Sequence, residues 1–253
     1  MAALLDVMQQ GRTVSMLVVL ALLLFWESAH PFFEYFRTAR AERGRHLLRN
    51  LLLGGLNAVV VSIGYDGLGG LTSIWAAENG IGLLHWLEGS RGLPAWSHAV
   101  GAVLLLDLWM YLWHRINHSI PFLWRFHRIH HNDPKMDVTT ANRFHTGEIV
   151  LSSLFRIPVI ALLGVHLWEL VLYEGLMFAV VQFHHANVGL PERLDRVLRA
   201  VVVTPTMHKV HHSRWRPETD SNYSALLSVW DRFDVPAPGR SLDPPFRPRW
   251  LGR

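Results

Sequence analysis

No cysteine occurs in the 253 residues, and that absence removes several chemistries at once. Disulfide frameworks, zinc ribbons, iron–sulfur clusters and thiol nucleophiles all need a sulfur this chain lacks. Any metal must then be held by His, Asp or Glu. Charge is scarce too: charged residues make up 17%, against about 25% in ordinary soluble domains. Half of the residues are apolar and the mean hydropathy is +0.18, so a membrane protein is the first expectation. Several motifs are also missing. No glycine-rich dinucleotide loop, haem-attachment motif or HExxH occurs. The chain therefore carries no recognisable electron carrier and no zinc-hydrolase signature.

The apolar windows fall at roughly 13–33, 46–65, 97–116 and 149–183, and a spanning helix needs about 20 such residues. Segment 13–26 looks like a signal-peptide core. However, Glu27-Ser28-Ala29-His30-Pro31 leads into Phe32 and Phe33 with no small-residue cleavage site, so it reads as a retained helix. The last window is long enough for a hairpin turning at Gly164. The expectation is an all-α bundle with four or five membrane crossings, forming one membrane-embedded domain over 1–253. Segment 71–87 mixes Trp75, His85 and Trp86 with Glu78 and Asn79, which suits a helix lying at the interface.

Basic residues orient the set. Segment 34–50 holds Arg37, Arg40, Arg43, Arg45 and Arg49, the end of the third window and the loop after it hold Arg115, Arg125, Arg128, Lys135 and Arg143, and the tail from Leu190 is arginine-rich, whereas 66–98 offers only Arg91. Cytoplasmic loops carry such an excess, which places the histidine clusters and the C-terminus on the cytoplasmic side, in a bacterial inner membrane. The pI near 9.8 belongs with this pattern, since the basic residues flank apolar runs as in lipid-facing proteins rather than forming a nucleic-acid surface.

Sixteen histidines are present, and ten lie in four clusters: His114 with His118; His127, His130 and His131; His184 with His185; and His208, His211 and His212. His145 stands alone between the second and third. Steps of three and four return to one helix face, so each HxxHH packs three imidazoles within about 100° of arc. Neutral imidazole ligates iron, zinc, copper and nickel. A single HxxxH on an apolar helix is more often a packed core pair, and a single HxxHH beside arginines reads equally well as a pH-sensitive or lipid-facing surface. Packing gives no reason to repeat the pattern three times in one chain. One ion takes only a handful of ligands, so His114, His118, His127, His130, His131, His145, His185, His208, His211 and His212 point to two ions. His184 is the alternative to its neighbour His185. His30, His46, His85, His98 and His166 lack the spacing and read as structural or interfacial.

Asp107, Tyr111, His114 and His118 follow steps of 4, 3 and 4 and share one helix stripe. An acid in an apolar span is costly and usually functional, and Asp107 is expected to accept a ligand's ring N–H. Glu148, Asn187 and Asp231 are further candidates for support or alternative ligation.

The ordered series HxxxH, HxxHH, HxxHH resembles the signature of the sterol desaturase and fatty acid hydroxylase family. Met136-Asp137, Arg143-Phe144-His145 with Glu148, His185-Ala186-Asn187, Asn222-Tyr223 and Trp230-Asp231 are similar to its intervening landmarks, so the likeness covers roughly 100–235, the expected catalytic core. The resemblance implies a helical membrane fold with two iron ions on the histidines and O2 as oxidant. It also implies an external electron donor such as a ferredoxin, cytochrome or reductase. The reaction would hydroxylate or desaturate a C–H bond of a membrane lipid: sterol-like, fatty acyl, ether lipid or carotenoid. The chain departs from the pattern at Thr146, Ser224 and Phe233-Asp234-Val235, none of them a ligand. The alternative is a membrane metal-ion binding or transport protein, which would place ionisable residues deep in several spans.

Overall fold

The computed structural model describes residues 2–233, so Asp234, Val235 and the C-terminus assigned above to the cytoplasmic side lie outside the described residues. The first helices are α1 (Ala2–Ala29), α2 (Arg40–Val61), α3 (Gly67–Glu78) and α4 (Leu83–Arg91). Then follow α5 (Ala95–Ser119), α6 (Pro121–His131), α7 (Thr146–Leu163) and α8 (Leu167–His185), and finally the short α9 (Glu192–Leu198), α10 (Pro205–His211) and α11 (Arg216–Thr219). Among the described residues the only extended pairing is an isolated bridge between Val202 and Leu227. The fold is all-α, as expected.

Chain chemistry explains the main breaks. Gly164 ends α7 in the left-handed conformation (φ 73°), which glycine adopts without a Cβ clash, so the 149–183 window is the expected hairpin. Between α5 and α6, Ile120 is extended ahead of Pro121 at the first helical position, as the steric bias before proline and the helix-starting role of proline require.

The second window differs from expectation. No proline or left-handed residue interrupts 40–78, and α2 continues through a wider π turn (Ser62–Asp66) directly into α3. Residues 71–78 therefore continue this helix alongside α7 to the turn at Gly164. Gly80 (φ 61°) and Gly82 (φ 118°) make the real break, after which α4 starts afresh.

Among the described residues, four helical stretches are long and apolar enough to cross a membrane: Gln10–Ala29, Arg40–Arg91, Trp96–Ser119 and Thr146–Leu163. Leu17, Leu22 and Phe25 on α1, Leu52 and Ile63 on the rod, and Leu154 and Leu162 on α7 are exposed, an apolar surface suited to lipid. With these spans the chain is a multi-pass membrane protein. Helix α8 is central, packed against α1, α5 and α10, and it buries Glu169, Tyr173, Glu174, Gln182, His184 and His185. Around α8 the bundle interior also holds charges. Arg12 pairs with Asp66 (3.1 Å) and with Glu174, and Arg156 reaches Glu174 at 3.1 Å. Two cations and two carboxylates thus knit α1, the rod, α7 and α8, which is how charge is tolerated inside such a bundle.

Candidate metal centre

Both HxxHH motifs sit on short helices that begin with proline. Pro121 starts α6, folding it back against the end of α5; Pro205 starts α10 after the extended Thr204. The two turns face each other and sort their imidazoles into two groups. His114, His118, His127, His131 and His211 form one; His130, His185, His208 and His212 form the other. In each motif the pair four residues apart goes to one group and the remaining histidine crosses to the other. The groups adjoin, with the rings of His131 and His212 stacked at 4.4 Å.

Backbone and carboxylate acceptors fix the tautomers of four of the rings. His114 Nδ1 donates to Tyr223 O (2.7 Å), His211 Nδ1 to Ser221 O (2.6 Å), His185 Nδ1 to Val181 O (2.7 Å) and His127 Nδ1 to Glu148 Oε1 (2.8 Å). A neutral imidazole that donates through Nδ1 has only a lone pair at Nε2. Yet His114 Nε2 lies 3.1 Å from His127 Nε2 and 3.0 Å from His211 Nε2, lone pair against lone pair. No proton sits between them, so a cation is the group that fits. The second group repeats the spacing: His185 to His130 3.1 Å, His208 to His185 3.0 Å and His212 to His130 3.1 Å. An ion about 2.0–2.1 Å from each nitrogen holds neighbours about 3.0 Å apart at right angles and about 3.3 Å apart in a tetrahedron. The separations are those of neighbouring ligands on one ion, and the five imidazoles of the first group exceed a tetrahedron. Burial pushes the His130, His131, His208, His211 and His212 imidazoles well below the usual histidine range, keeping them in the neutral form that ligates.

The other expected site residues are placed as follows. His145 joins neither group; its Nδ1 accepts from Gly147 N at 2.9 Å and caps α7. Asp107 meets no imidazole. Its carboxylate accepts from Leu226 N (3.2 Å), Leu227 N (2.9 Å) and Trp230 Nε1 (2.8 Å), tying the closing segment to α5. Tyr111 packs edge-on against Tyr223. His184 lies outside both groups with its ring 3.9 Å from that of His208. Asn187 holds the loop after α1 through Phe33 N and O (3.0 and 2.8 Å), and Asp231 accepts from Ser224 N. Of the supporting groups, Glu148 alone bonds a grouped histidine among these. Sequence reasoning missed Asp220, 3.5 Å from His118 Nδ1, and the carbonyls of Val181, Ser221 and Tyr223, which no side-chain pattern can signal. It also missed that His85, His98 and His166 come together.

A cavity of about 1190 Å³ opens beside His118, His131 and His212, bordered by Trp124, Trp215, Asp133, Lys209, Arg214 and Arg216 among others.

Residues 99–234 match the family model described as fatty acid hydroxylase. The chain is 30% identical over 144 residues to an ornithine lipid hydroxylase of Rhizobium tropici, covering 55% of this chain and 41% of that protein. It is 30% identical over 136 residues to human alkylglycerol monooxygenase (52% and 28%) and 22% identical over 160 residues to rat cholesterol 25-hydroxylase (59% and 52%). The chain thus spans about half or less of the length of these relatives. No solved structure matches it. The family match covers more than half of the chain and contains every histidine of the two groups, and on that ground the chain belongs to the fatty acid hydroxylase family.

Proposed function

We propose that this protein hydroxylates a C–H bond of a membrane lipid, using O2 and two iron ions held by the five-histidine and four-histidine groups. The observation that carries the reading is the convergence of Nε2 lone pairs 3.0–3.1 Å apart in two adjoining groups. When bound, the ions supply the reduction and activation of O2, which no side chain here can perform. The chain's own residues orient and insulate: the carbonyls of residues 181, 221 and 223 and the Glu148 carboxylate hold the rings, and burial of both groups excludes water. Hydroxylation is favoured over desaturation because the relatives are named as hydroxylases and monooxygenases, acting on an ornithine lipid, an alkylglycerol and cholesterol. The adjacent cavity is large enough for a lipid headgroup or chain segment, and Asp133, Lys209 and Arg214 at its border suit a polar headgroup.

The electrons come from a separate protein. The site faces the cytoplasm, where the basic loops lie, in the inner membrane of a bacterium. Metal transport fits less well: between the histidine centre and the opposite end of the bundle stand Arg12, Asp66, Arg156 and Glu174, already paired with one another. The test is turnover of the iron-loaded protein in lipid with a reductase system and labelled O2. The product should gain one labelled oxygen and His130→Ala should form none; label arriving from water, or turnover without O2, would overturn the assignment.

A further inference from the structure

The other ends of α5 and α8 also gather histidines. His98 lies 16 residues before His114, and His166 lies 19 residues before His185, which is about 24 Å and about 28 Å along the helix axes. His85 joins them from α4. One ring nitrogen from each lies within 4.8 Å of the others, and the ring centroids are 4.5–4.9 Å apart, close to the 4.4–4.9 Å spacing of neighbours inside the nine-histidine centre.

Backbone geometry forces the approach. A Cβ on Gly82 would stand 2.3 Å from Gly164 N, and one on Gly164 would stand 2.8 Å from His85 Cδ2. The start of α4 therefore rests directly on the turn between α7 and α8, and this contact delivers His85 to His166.

Packing does not account for the chemistry at this point. His98 Nδ1 donates to both oxygens of Glu169, at 2.9 and 3.1 Å, which leaves Nε2 as its lone pair. The same carboxylate accepts from His166 N at 2.9 Å, and the His166 ring faces the Glu169 amide across the first turn of α8, so one acid orients the His98 ring and shares in capping α8. Among the described residues, Nε2 of His98 and Nε2 of His85 are buried with no hydrogen-bond partner, and the His98 side chain is only 3% exposed. Buried ring nitrogens without partners are costly, and a carboxylate–imidazole pair is the usual way to orient a metal ligand.

We infer that His85, His98 and His166 form a third metal site, for a divalent ion of the zinc class, at the end of the bundle opposite the nine-histidine centre. Three imidazoles make a tripod that leaves a fourth tetrahedral position for water or an outside ligand. Affinity for such a nitrogen site favours zinc over ferrous iron, so the two ends of one chain would hold different metals. The bound ion ties α4 to the starts of α5 and α8.

The experiment uses the full chain in lipid or detergent, loaded with iron, exposed to micromolar Zn2+ and desalted. Elemental analysis should find one zinc per chain beyond the iron, and X-ray absorption at the zinc edge should find three imidazole nitrogens and one lighter oxygen-type neighbour. In the double variant H85Q/H166Q the zinc should be lost while the iron content stays at the wild-type level. Glu169→Gln should weaken zinc binding by about 10–100-fold in chelator competition. Failure of wild-type protein to retain zinc, an all-oxygen shell, or equal zinc in the folded double variant would overturn the site. If the double variant does not fold, the wild-type absorption edge decides alone. Because iron and zinc are counted separately, failure here leaves the nine-histidine reading standing, and the reverse also holds.

Discussion

At one end of α5 and α8, nine imidazoles crowd into two groups, with three rings held by backbone carbonyls and one by a carboxylate; at the other, three imidazoles from three elements gather around the one ring that Glu169 holds. The difference is one of coordination number and of anchoring. Groups of five and four nitrogens offer a full ligand shell, whereas a tripod leaves a fourth tetrahedral position open. Carbonyl anchors belong to the fold itself, so the larger centre is sensitive to anything that moves the 221–227 segment. The tripod is sensitive to Glu169 and to the Gly82–Gly164 contact. Substitutions at the two ends should therefore separate cleanly in metal content.

The largest effect is expected from the grouped histidines that cross between motifs. His130→Ala should remove the ion of the four-histidine group and His211→Ala that of the five-histidine group, each lowering product formation by more than about 100-fold, beyond the range of outer partners. Iron analysis beside product mass spectrometry checks this, and full iron occupancy in both variants would break the partition. The zinc content of both should be that of the wild type.

Next comes Glu148→Gln, which removes the carboxylate 2.8 Å from His127 Nδ1. Iron affinity or turnover should fall by about 10–100-fold, with zinc untouched, and Glu169→Gln should do the opposite. Two carboxylates with mirrored effects would sharpen the contrast; cross-effects would mean that the ends communicate.

A smaller effect, in stability, is expected from Asp107→Ala. The carboxylate is fully buried and accepts from two backbone amides and the Trp230 indole. Leaving those donors unpaired should cost about 1–3 kcal/mol, read as a lower unfolding temperature in both iron-loaded and metal-free protein. A loss of iron with unchanged stability would instead return Asp107 to a direct role at a ligand.

How much was legible follows from the range of each interaction. Spacing within a helical turn is local, so HxxHH, its proline starts and the Gly164 hairpin can be read directly. The division of each motif between the two histidine groups is not local, because it depends on α6 and α10 facing each other across about 80 residues of chain. Asp107 shares the histidine stripe, yet its partners arrive from residues 226–230, which a helical wheel does not contain. His145 misled for a related reason: a histidine just before Thr146-Gly147-Glu148 caps the helix locally and spends its lone pair there. His85, His98 and His166 carry no mutual spacing, and only the two positive-φ glycines that seat α4 on the α7–α8 turn hinted that this corner is built closely.

The last prediction concerns sidedness, which costs the protein least. With no native cysteine, single cysteines report without background. Gly89 on α4 has open space where a Cβ would go, so Gly89→Cys should be accommodated. Lys135, beside the nine-histidine centre, makes a part-exposed ion pair with Glu42 at 2.6 Å, and Lys135→Cys forfeits an interaction of about 0–1 kcal/mol. An impermeant thiol reagent should label Gly89→Cys in intact cells and Lys135→Cys only after the membrane is opened, because basic loops stay in the cytoplasm. The reverse pattern would invert the orientation while preserving two opposed ends. Labelling of both from one side would break the comparison itself, since α5 and α8 would then not carry their two histidine sets to different aqueous faces.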